Sequence, residues 1–143
     1  RQLDWYLLGE KNNLGMHNYV RDLLALYRKF PCMYENDNSW KGFEWMNADD
    51  AEKSTYSFVR KSENGRGNLL FVMNMTPMRW EEYVVAVPKK KKYKLVLNSD
   101  DVCYGGNGNA VPEELTAAAE PFHYHDYSVT LDLPPYTAVV YQF

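Results

Sequence analysis

Three adjacent pairs of carboxylates are the side chains with the clearest capacity for acid–base chemistry: Asp49-Asp50, Asp100-Asp101 and Glu113-Glu114. Cleavage of a glycosidic bond requires two carboxyl groups that flank it, one as nucleophile or base and one as proton donor. Adjacent residues on a turn or strand point in diverging directions and do not flank one bond. We therefore interpret each pair as turn or capping residues, and we predict no catalytic residue in this chain.

Two histidines, His123 and His125, form an H-x-H pair that could bind a metal. On a β-strand this spacing directs both imidazoles to the same face, about 6.6 Å apart along the chain. Asp126 or His17 could then complete a zinc site. No second cluster of ligands with recognisable spacing accompanies the pair. We favour a solvent-facing pair and predict neither a metal nor a cofactor, and a small metal-dependent protein is a further hypothesis.

Aromatic residues make up 15% of the chain, with 12 tyrosines and 4 tryptophans. Aromatic rings stack on the apolar C–H faces of sugars, but β-sandwich cores favour the same residues. Trp40 and Tyr104 are the candidate carbohydrate-binding residues, and Tyr34 could extend the same platform. We assign Trp45 to the core or to a domain junction. Because no convergent polar groups accompany these rings, we expect weak or no binding of sugar.

The overall composition is that of a globular protein: 143 residues, 45% hydrophobic and 24% charged. This length suits one domain, or one domain with a short appendage. A net charge of -3 argues against nucleic acid as a partner, because binding to phosphates requires a concentrated positive face. The only basic run, Lys89 to Lys92, is interpreted as a solvated hairpin turn.

The two cysteines, Cys32 and Cys103, are too few for a disulfide framework and indicate a reduced, cytoplasmic protein. A cross-link between the two is the alternative. No segment approaches the ~20 consecutive apolar residues of a membrane span, and no charged-then-apolar leader opens the chain. We therefore predict a cytoplasmic protein without a membrane partner.

A helix is predicted to end at Phe30, because Pro31 prevents its continuation. Apolar residues upstream recur at the spacing of one helical stripe, which Met16 extends by a turn. We expect this stripe to pack against the rest of the domain, with Leu23→Ala costing about 2 to 5 kcal/mol. The stripe consists of Val20, Leu23, Leu24, Tyr27 and Phe30.

A shorter helical turn is predicted at Leu3 to Leu8. Trp5 to Leu8 are consecutive bulky apolar residues, and the predicted elements offer no second helical layer to cover them. We expect this turn to stay partly exposed or to be covered by another copy of the chain. The chain also starts at an arginine rather than a methionine, so we expect a C-terminal region of a larger protein.

From Gly42 onward the hydrophobic period changes from 3.6 to 2. The fold class predicted is mainly β: an antiparallel β-sandwich of seven or eight strands with an N-terminal helical segment. The predicted strands are Phe43 to Met46, Tyr56 to Arg60, Leu69 to Asn74, Tyr83 to Val87, Tyr93 to Leu97, one or two within Phe122 to Leu133, and Thr137 to Phe143.

The stretch YENDNSWKGFEWM, residues 34–46, resembles the junction in glycogen (1,4-α-glucan) branching enzymes between the catalytic barrel and the C-terminal β-domain. Upstream, Val20-Arg21-Asp22-Leu23 resembles the last barrel helix of that family. The similarity continues in the same order along the chain. Its motifs are Phe58-Val59-Arg60, Asn74-Met75-Thr76-Pro77, Asn98-Ser99-Asp100, Tyr104-Gly105-Gly106 and Leu133-Pro134-Pro135.

The resemblance implies two parts: residues 1–38, the helical end of an upstream barrel, and residues 39–143, an all-β domain of the α-amylase C-terminal type. It also implies a parent enzyme that transfers α-1,4-glucan segments to form α-1,6 branches. The aspartate nucleophile and glutamate acid/base of that family lie in the barrel, so neither has a counterpart here. Leu24, Met75 and the run Glu35-Asn36-Asp37 depart from the family pattern.

The partners implied are the upstream barrel of the same polypeptide and an α-glucan. Self-association of the isolated fragment through its N-terminal helical face is a further expectation. The alternative hypothesis is a stand-alone carbohydrate-binding module without catalytic activity. The N-terminal helix discriminates between the two, because a free module would not need an uncovered apolar helical face.

Overall fold

Two antiparallel sheets form the β part of the fold in the computed structural model, which describes residues 2–143. Helical elements precede them: a 3₁₀ helix at Trp5–Gly9, helix α1 at Lys11–Lys29 and a 3₁₀ turn at Pro31–Met33. The strands are β1 (Phe43–Asp50), β2 (Thr55–Arg60), β3 (Leu69–Asn74), β4 (Trp80–Val87), β5 (Lys92–Asn98), β6 (Glu114–Thr116), β7 (Tyr127–Leu133) and β8 (Ala138–Gln142). Among the described residues there are eight strands, which confirms the predicted fold class.

The last strand, β8, lies in the middle of the larger sheet. That sheet has the order β1-β2-β3-β8-β5-β6, and β8 pairs antiparallel with both β3 and β5. The smaller sheet consists of β4 and β7, with Val85 opposite Val129. Because its central strand comes from the end of the chain, the larger sheet is complete only when residues up to 142 are in place.

The main core fills the space between the two sheets. Alternate residues of each strand point inward, as the period of two predicts. Leu70 and Val72 of β3 meet Val129 and Leu131 of β7 within one buried cluster, and the phenol of Tyr93 lies fully buried beside Phe143. The β-sandwich is therefore held by one continuous apolar layer.

A second core lies on the outer face of the larger sheet. The residues that form it are buried and come from α1, the turn after it and three strands. They are Leu26, Phe30, Cys32, Leu69, Leu97 and Val140. Strand β3 is thus buried on both faces at Leu69 and Leu70, as its continuous apolar run predicts.

The predicted packing face of helix α1 is wrong in part. Phe30 is buried and Leu23 is half-buried against the sheet, but Val20, Leu24 and Tyr27 are 45%, 54% and 42% exposed. The helix carries two apolar stripes, and the sheet selects the one centred on Leu26, which is only 6% exposed. Three residues of the predicted stripe, Val20, Leu24 and Tyr27, therefore face away from the β-sandwich.

Two local predictions also need correction, and one strand was not predicted. Residues 122–125 form a tight turn with a single bridge between Phe122 and His125, so the β7 region begins only at Tyr127. Lys89 to Lys91 join β4 and β5, which belong to different sheets, so this exposed basic turn is not a hairpin. The short edge strand β6 was not predicted, because three residues carry no periodic signal.

The first 3₁₀ helix lies close to the helical turn predicted at Leu3 to Leu8. Trp5 and Tyr6 are 68% and 76% exposed, and Leu7 is also exposed. The uncovered apolar turn expected from the sequence is therefore present.

Replacing Leu26 by alanine should lower the free energy of unfolding by about 2 to 5 kcal/mol, because it leaves a cavity between α1 and the sheet. The matched control is Leu24→Ala in the same helix, which should change it by no more than about 0.5 kcal/mol. Urea unfolding of both variants, followed by circular dichroism, measures the difference. Equal losses in the two variants would contradict the helix orientation described above.

Candidate functional site

The side of helix α1 that faces away from the sheet is apolar and uncovered. Met16, Val20, Leu24 and Tyr27, which we call the exposed helix face, are each more than 40% exposed. A shallow groove of about 570 Å³ runs along Met16, Val20 and Leu24, between Arg21 and Arg28. Four large apolar side chains in one row form the kind of patch that marks an interaction surface.

Tyr104 fixes the opposite side of the same helix. Its hydroxyl donates a hydrogen bond to Oδ2 of Asp22 at 2.8 Å, and its ring stands edge-on to Tyr19 with 5.2 Å between centroids. A β-carbon at Gly15 would lie 2.5 Å from the Tyr104 carbonyl oxygen, so only glycine permits this approach. The sequence singled out Tyr104 as a sugar-binding residue, but its ring and hydroxyl are engaged in holding α1.

The charges at this contact shift the acidity of both groups. Hydrogen bonds from Arg21 and from Tyr104 hold the pKa of Asp22 below its ordinary value, while burial and the nearby Asp22 carboxylate raise the pKa of Tyr104. Since the pKa of Asp22 is lower in the folded chain, its stabilising contribution is complete above its unfolded pKa. That contribution is lost as pH falls through the folded pKa.

The loop that presents Tyr104 is organised around the buried carboxylate of Asp100. Its two oxygens accept hydrogen bonds from the backbone and side-chain N–H groups of Asn107 and Asn109, at 2.7 to 3.4 Å. Burial raises the pKa of Asp100, but these hydrogen bonds outweigh it and leave the pKa lowered. A β-carbon at Gly106 would clash with the Asp100 backbone. Asp100 therefore shapes a turn, as its pairing with Asp101 predicted.

The other carboxylate pairs are likewise engaged in structure. Asp50 accepts hydrogen bonds from the hydroxyls of Thr55 and Tyr83, at 3.2 and 3.1 Å. Glu114 forms an ion pair with Lys92 at 2.7 Å on the neighbouring strand. Asp50 and Glu114 therefore each have a structural partner, as expected for turn or capping residues rather than catalytic ones.

Trp40 lies apart from the contacts of Tyr104. It stands in the segment between the Pro31–Met33 turn and β1, and 88% of its surface is exposed. Tyr34, the other suggested member of the platform, is 5.6 Å from the ring of Tyr27 on the exposed helix face. Among the described residues, Tyr34 and Tyr104 thus have ring contacts with helix α1, and sugar binding by Trp40 and Tyr104 stays a prediction.

The two histidines do not lie on a strand. His123 is at the tip of the 122–125 turn with a φ of 44°, and His125 is half-buried with its Nε2 3.8 Å from Oε1 of Glu44. The alternation that would direct both imidazoles to one face therefore does not apply. Within residues 2–143, no three acidic, histidine or cysteine side chains are grouped so that they could hold a metal.

Both cysteines are free, so the alternative of a cross-link between them is wrong. Cys32 is buried beneath α1, and burial raises the pKa of its thiol to about 11. Cys103 is exposed beside Tyr104. In the part of the chain that the structure describes, no helix has both the length and the apolar character to cross a membrane.

Sequence reasoning missed an aromatic patch on the outer face of the larger sheet. Trp45 contacts Phe43 and Phe58 edge-on, at 5.0 and 5.6 Å, and Phe58 stacks on Phe71 at 4.7 Å. These four residues form the aromatic sheet patch, in which Trp45 is 49% exposed. Phe43 and Trp45 are two positions apart, which predicts that their rings share one face of a strand. The sequence does not show which face of the sheet that is.

Comparison with known proteins supplies the family. Residues 45–143, the span from β1 to the end of β8, match the model of the alpha amylase, C-terminal all-beta domain. The chain belongs to this family. The resemblance stated from the sequence motifs is therefore confirmed.

Relatives extend the match to the N-terminal helices. The chain is 52% identical over all 143 residues to the 1,4-alpha-glucan branching enzyme GlgB of Butyrivibrio fibrisolvens, covering 22% of that protein. It is 44% identical over 138 residues to the protein of the same name from Rubrobacter xylanophilus, covering 96% of this chain and 19% of that protein. The alpha-amylase C-terminal domain and its helices thus span about a fifth of the length of these relatives.

The contact between Tyr104 and the helix yields a test by titration. In this alpha-amylase C-terminal domain, Tyr104→Phe should raise the pKa of Asp22 toward its ordinary value, because one of its hydrogen bonds is lost. Tyr27→Phe, which removes a hydroxyl from the opposite face of the helix, should leave it unchanged. Carboxyl-carbon NMR as a function of pH measures both. An unchanged pKa in Tyr104→Phe would show that Arg21 alone sets it.

A second test concerns metal. The melting temperature of the domain should not change when zinc or a chelator is added, whereas a structural zinc ion would shift it strongly. His123→Ala provides the control variant. A large stabilisation by zinc that this substitution abolishes would restore the metal hypothesis.

Proposed function

We propose that this chain is the C-terminal part of a glycogen branching enzyme and supports the catalytic barrel of that enzyme. The parent would transfer segments of α-1,4-glucan to form α-1,6 branches. The observation that carries the proposal is the match over the whole chain to proteins named 1,4-alpha-glucan branching enzyme, which are several times longer. The division between barrel and β-domain near residues 38 and 39 is part of this proposal.

The exposed helix face supports this assignment. Helix α1 buries one stripe against the sheet through Leu26 and Phe30, and leaves a second stripe of large apolar residues in solvent. In the proposed enzyme that second stripe packs against the preceding barrel, so α1 is shared by two cores. A free carbohydrate-binding module would leave this stripe uncovered. In the isolated chain the same surface favours self-association, because association removes apolar area from water.

The proposal has two secondary parts: the contact of this chain with glucan and the cellular location of the enzyme. Of the two residues first singled out, Trp40 keeps its exposed ring available for stacking on a sugar, whereas most of the Tyr104 side chain is engaged with α1. Free thiols at Cys32 and Cys103 favour a reducing compartment, and we place the enzyme in the cytoplasm.

The activity test uses the complete polypeptide and the isolated chain side by side. The complete polypeptide should branch amylose, measured as loss of iodine staining without release of reducing sugar. Residues 1–143 alone should give no change, because the catalytic carboxylates implied by the resemblance lie upstream. Activity in the isolated chain, above that of a mock preparation, would overturn the division of roles.

The docking test uses Leu24→Asp on the exposed helix face. In the isolated chain this substitution should leave the melting temperature nearly unchanged, because Leu24 is solvent-exposed. In the complete polypeptide it should lower both the melting temperature and the branching activity, because a charge is buried against the barrel. Met75→Asp is the matched control: Met75 is 55% exposed and follows the end of β3 opposite the helix contact at Leu69. Equal effects of the two substitutions in the complete polypeptide would contradict docking through α1.

A further inference from the structure

A pocket of about 460 Å³ lies where three separate segments of the chain meet. The segments are residues 36–41 before β1, residues 61–68 between β2 and β3, and residues 88–89 after β4. Phe143, just after β8, completes the lining. The volume falls in the range of sites that bind small molecules. The pocket shares no residue with the exposed helix face, with the aromatic sheet patch or with Trp40.

Each of the three segments contributes one lysine to the pocket. These are Lys41, Lys61 and Lys89, and the one acid among the described lining residues is the exposed Glu63. The whole chain carries a net charge of -3, so this lining differs in sign from the chain as a whole. Positive charges that converge from separate segments on one concave surface attract anions.

Two of the three lysines lack an acidic partner in the described part of the chain. Lys61 forms an ion pair with Glu44 at 2.8 Å, whereas neither Lys41 nor Lys89 forms one with any described residue. A β-carbon at Gly65 would lie 3.7 Å from Nζ of Lys89, so this ammonium group lies against the middle segment of the pocket. An anion bound between the two ammonium groups would supply the opposite charge that they lack.

The backbone that carries these lysines is held in place without a ligand. The N–H of Lys61 donates a hydrogen bond to the carbonyl of Gly42 at 2.9 Å, which joins the middle segment to the one that bears Lys41. The phenol of Tyr93 donates to the carbonyl of Lys89 at 2.8 Å and fixes the third segment. Only the ends of the lysine side chains would therefore lose freedom when an anion binds, which keeps the entropic cost of binding small.

The lining favours a phosphate group over a carboxylate. Among the described residues it contains no arginine, whose planar fork matches the two oxygens of a carboxylate. Lysine ammonium groups act as point charges and are common ligands of phosphate. The pocket is larger than one phosphate group, and Pro88 and Phe143 give it an apolar side. A phosphate group carried by a small organic molecule therefore fits both the charge and the volume.

We propose that this pocket binds the phosphate group of a small phosphorylated molecule, with the ammonium groups of Lys41 and Lys89 as its main contacts. Lys61 adds positive charge from the third segment. The site goes beyond the proposed function, because neither glucan nor the barrel is needed for it. It also gives a binding role to one residue of the basic run that the sequence analysis interpreted as a solvated turn.

The test is titration of the 143-residue chain with inorganic pyrophosphate, followed by calorimetry and by amide NMR. An ionic strength of about 0.1 M screens charges beyond about 10 Å and preserves close contacts. Pyrophosphate should raise the melting temperature, because a ligand that binds only the folded state stabilises it. Amide shifts should be concentrated in the three segments of the pocket. Replacing both Lys41 and Lys89 by glutamine should weaken affinity by roughly tenfold or more, because two charged contacts are lost.

The matched control replaces both Lys90 and Lys91 by glutamine. These lysines are exposed in the same basic run and do not line the pocket, so the same charge is removed outside the site. Affinity for pyrophosphate should fall by less than about twofold. Equal losses in the two double variants would indicate diffuse attraction to the run and would overturn the proposal. Absence of pyrophosphate binding to the unsubstituted chain would overturn it as well.

Branching activity of the complete polypeptide is measured separately, so the two proposals can fail independently. Pyrophosphate binding without branching would reject the proposed enzyme and retain the phosphate site. Carboxylates of an upstream domain are the competing partners for Lys41 and Lys89. If the complete polypeptide does not bind pyrophosphate, and if the Lys41 and Lys89 substitutions lower its melting temperature, the pocket is a contact between domains and the phosphate site is rejected.

Discussion

The larger sheet is apolar on both faces, and the rest of the structure depends on covering both. Its central strands β3, β8 and β5 direct Leu70 and Tyr141 toward the smaller sheet, and Leu69, Leu97 and Val140 toward the outside. The second set requires another layer, and helix α1 supplies it with Leu26 and Phe30. Burial of apolar surface, the dominant favourable term in folding, therefore places a helix on an all-β domain.

Helix α1 covers the outer face of the sheet, but the helical segment leaves apolar surface of its own uncovered. Helix α1 has a second apolar stripe that its own chain leaves in solvent, and the 3₁₀ helix before it exposes Trp5 and Tyr6. The contact of Tyr104 with Asp22 and Gly15 holds the helix in the orientation that presents this stripe. Helix α1 therefore has one apolar side packed on the sheet and a second that is free to pack on another part of a protein. This arrangement fits a domain that supports a larger enzyme.

The character of the exposed helix face agrees with its proposed role. The exposed helix face is apolar and flanked by arginines, as expected for a surface that packs against protein. In the proposed enzyme this face joins the domain to the barrel.

The sequence by itself determined the fold class, the end of the helix and the position of most strands, because hydrophobic period and proline act locally. The ordered motifs from Val20 to Pro135 determined the family for the same reason, since each occupies a fixed place along the chain. The pairing of Asp100 with Asp101 was correctly assigned to a turn. The division into residues 1–38 and 39–143, and the sugar contacts of Trp40 and Tyr104, stay predictions.

Only the tertiary structure decided which face of α1 is buried, because both of its stripes are apolar and the sheet selects one. It also decided that Tyr104 holds the helix, a contact between residues 82 positions apart that no local pattern encodes. The cleft between residues 45–53 and the turn 122–125 joins segments that are nearly 70 positions apart in sequence, and it opens where a sheet edge meets a turn. Its residues carry no common motif, so their proximity exists only once the two sheets have packed.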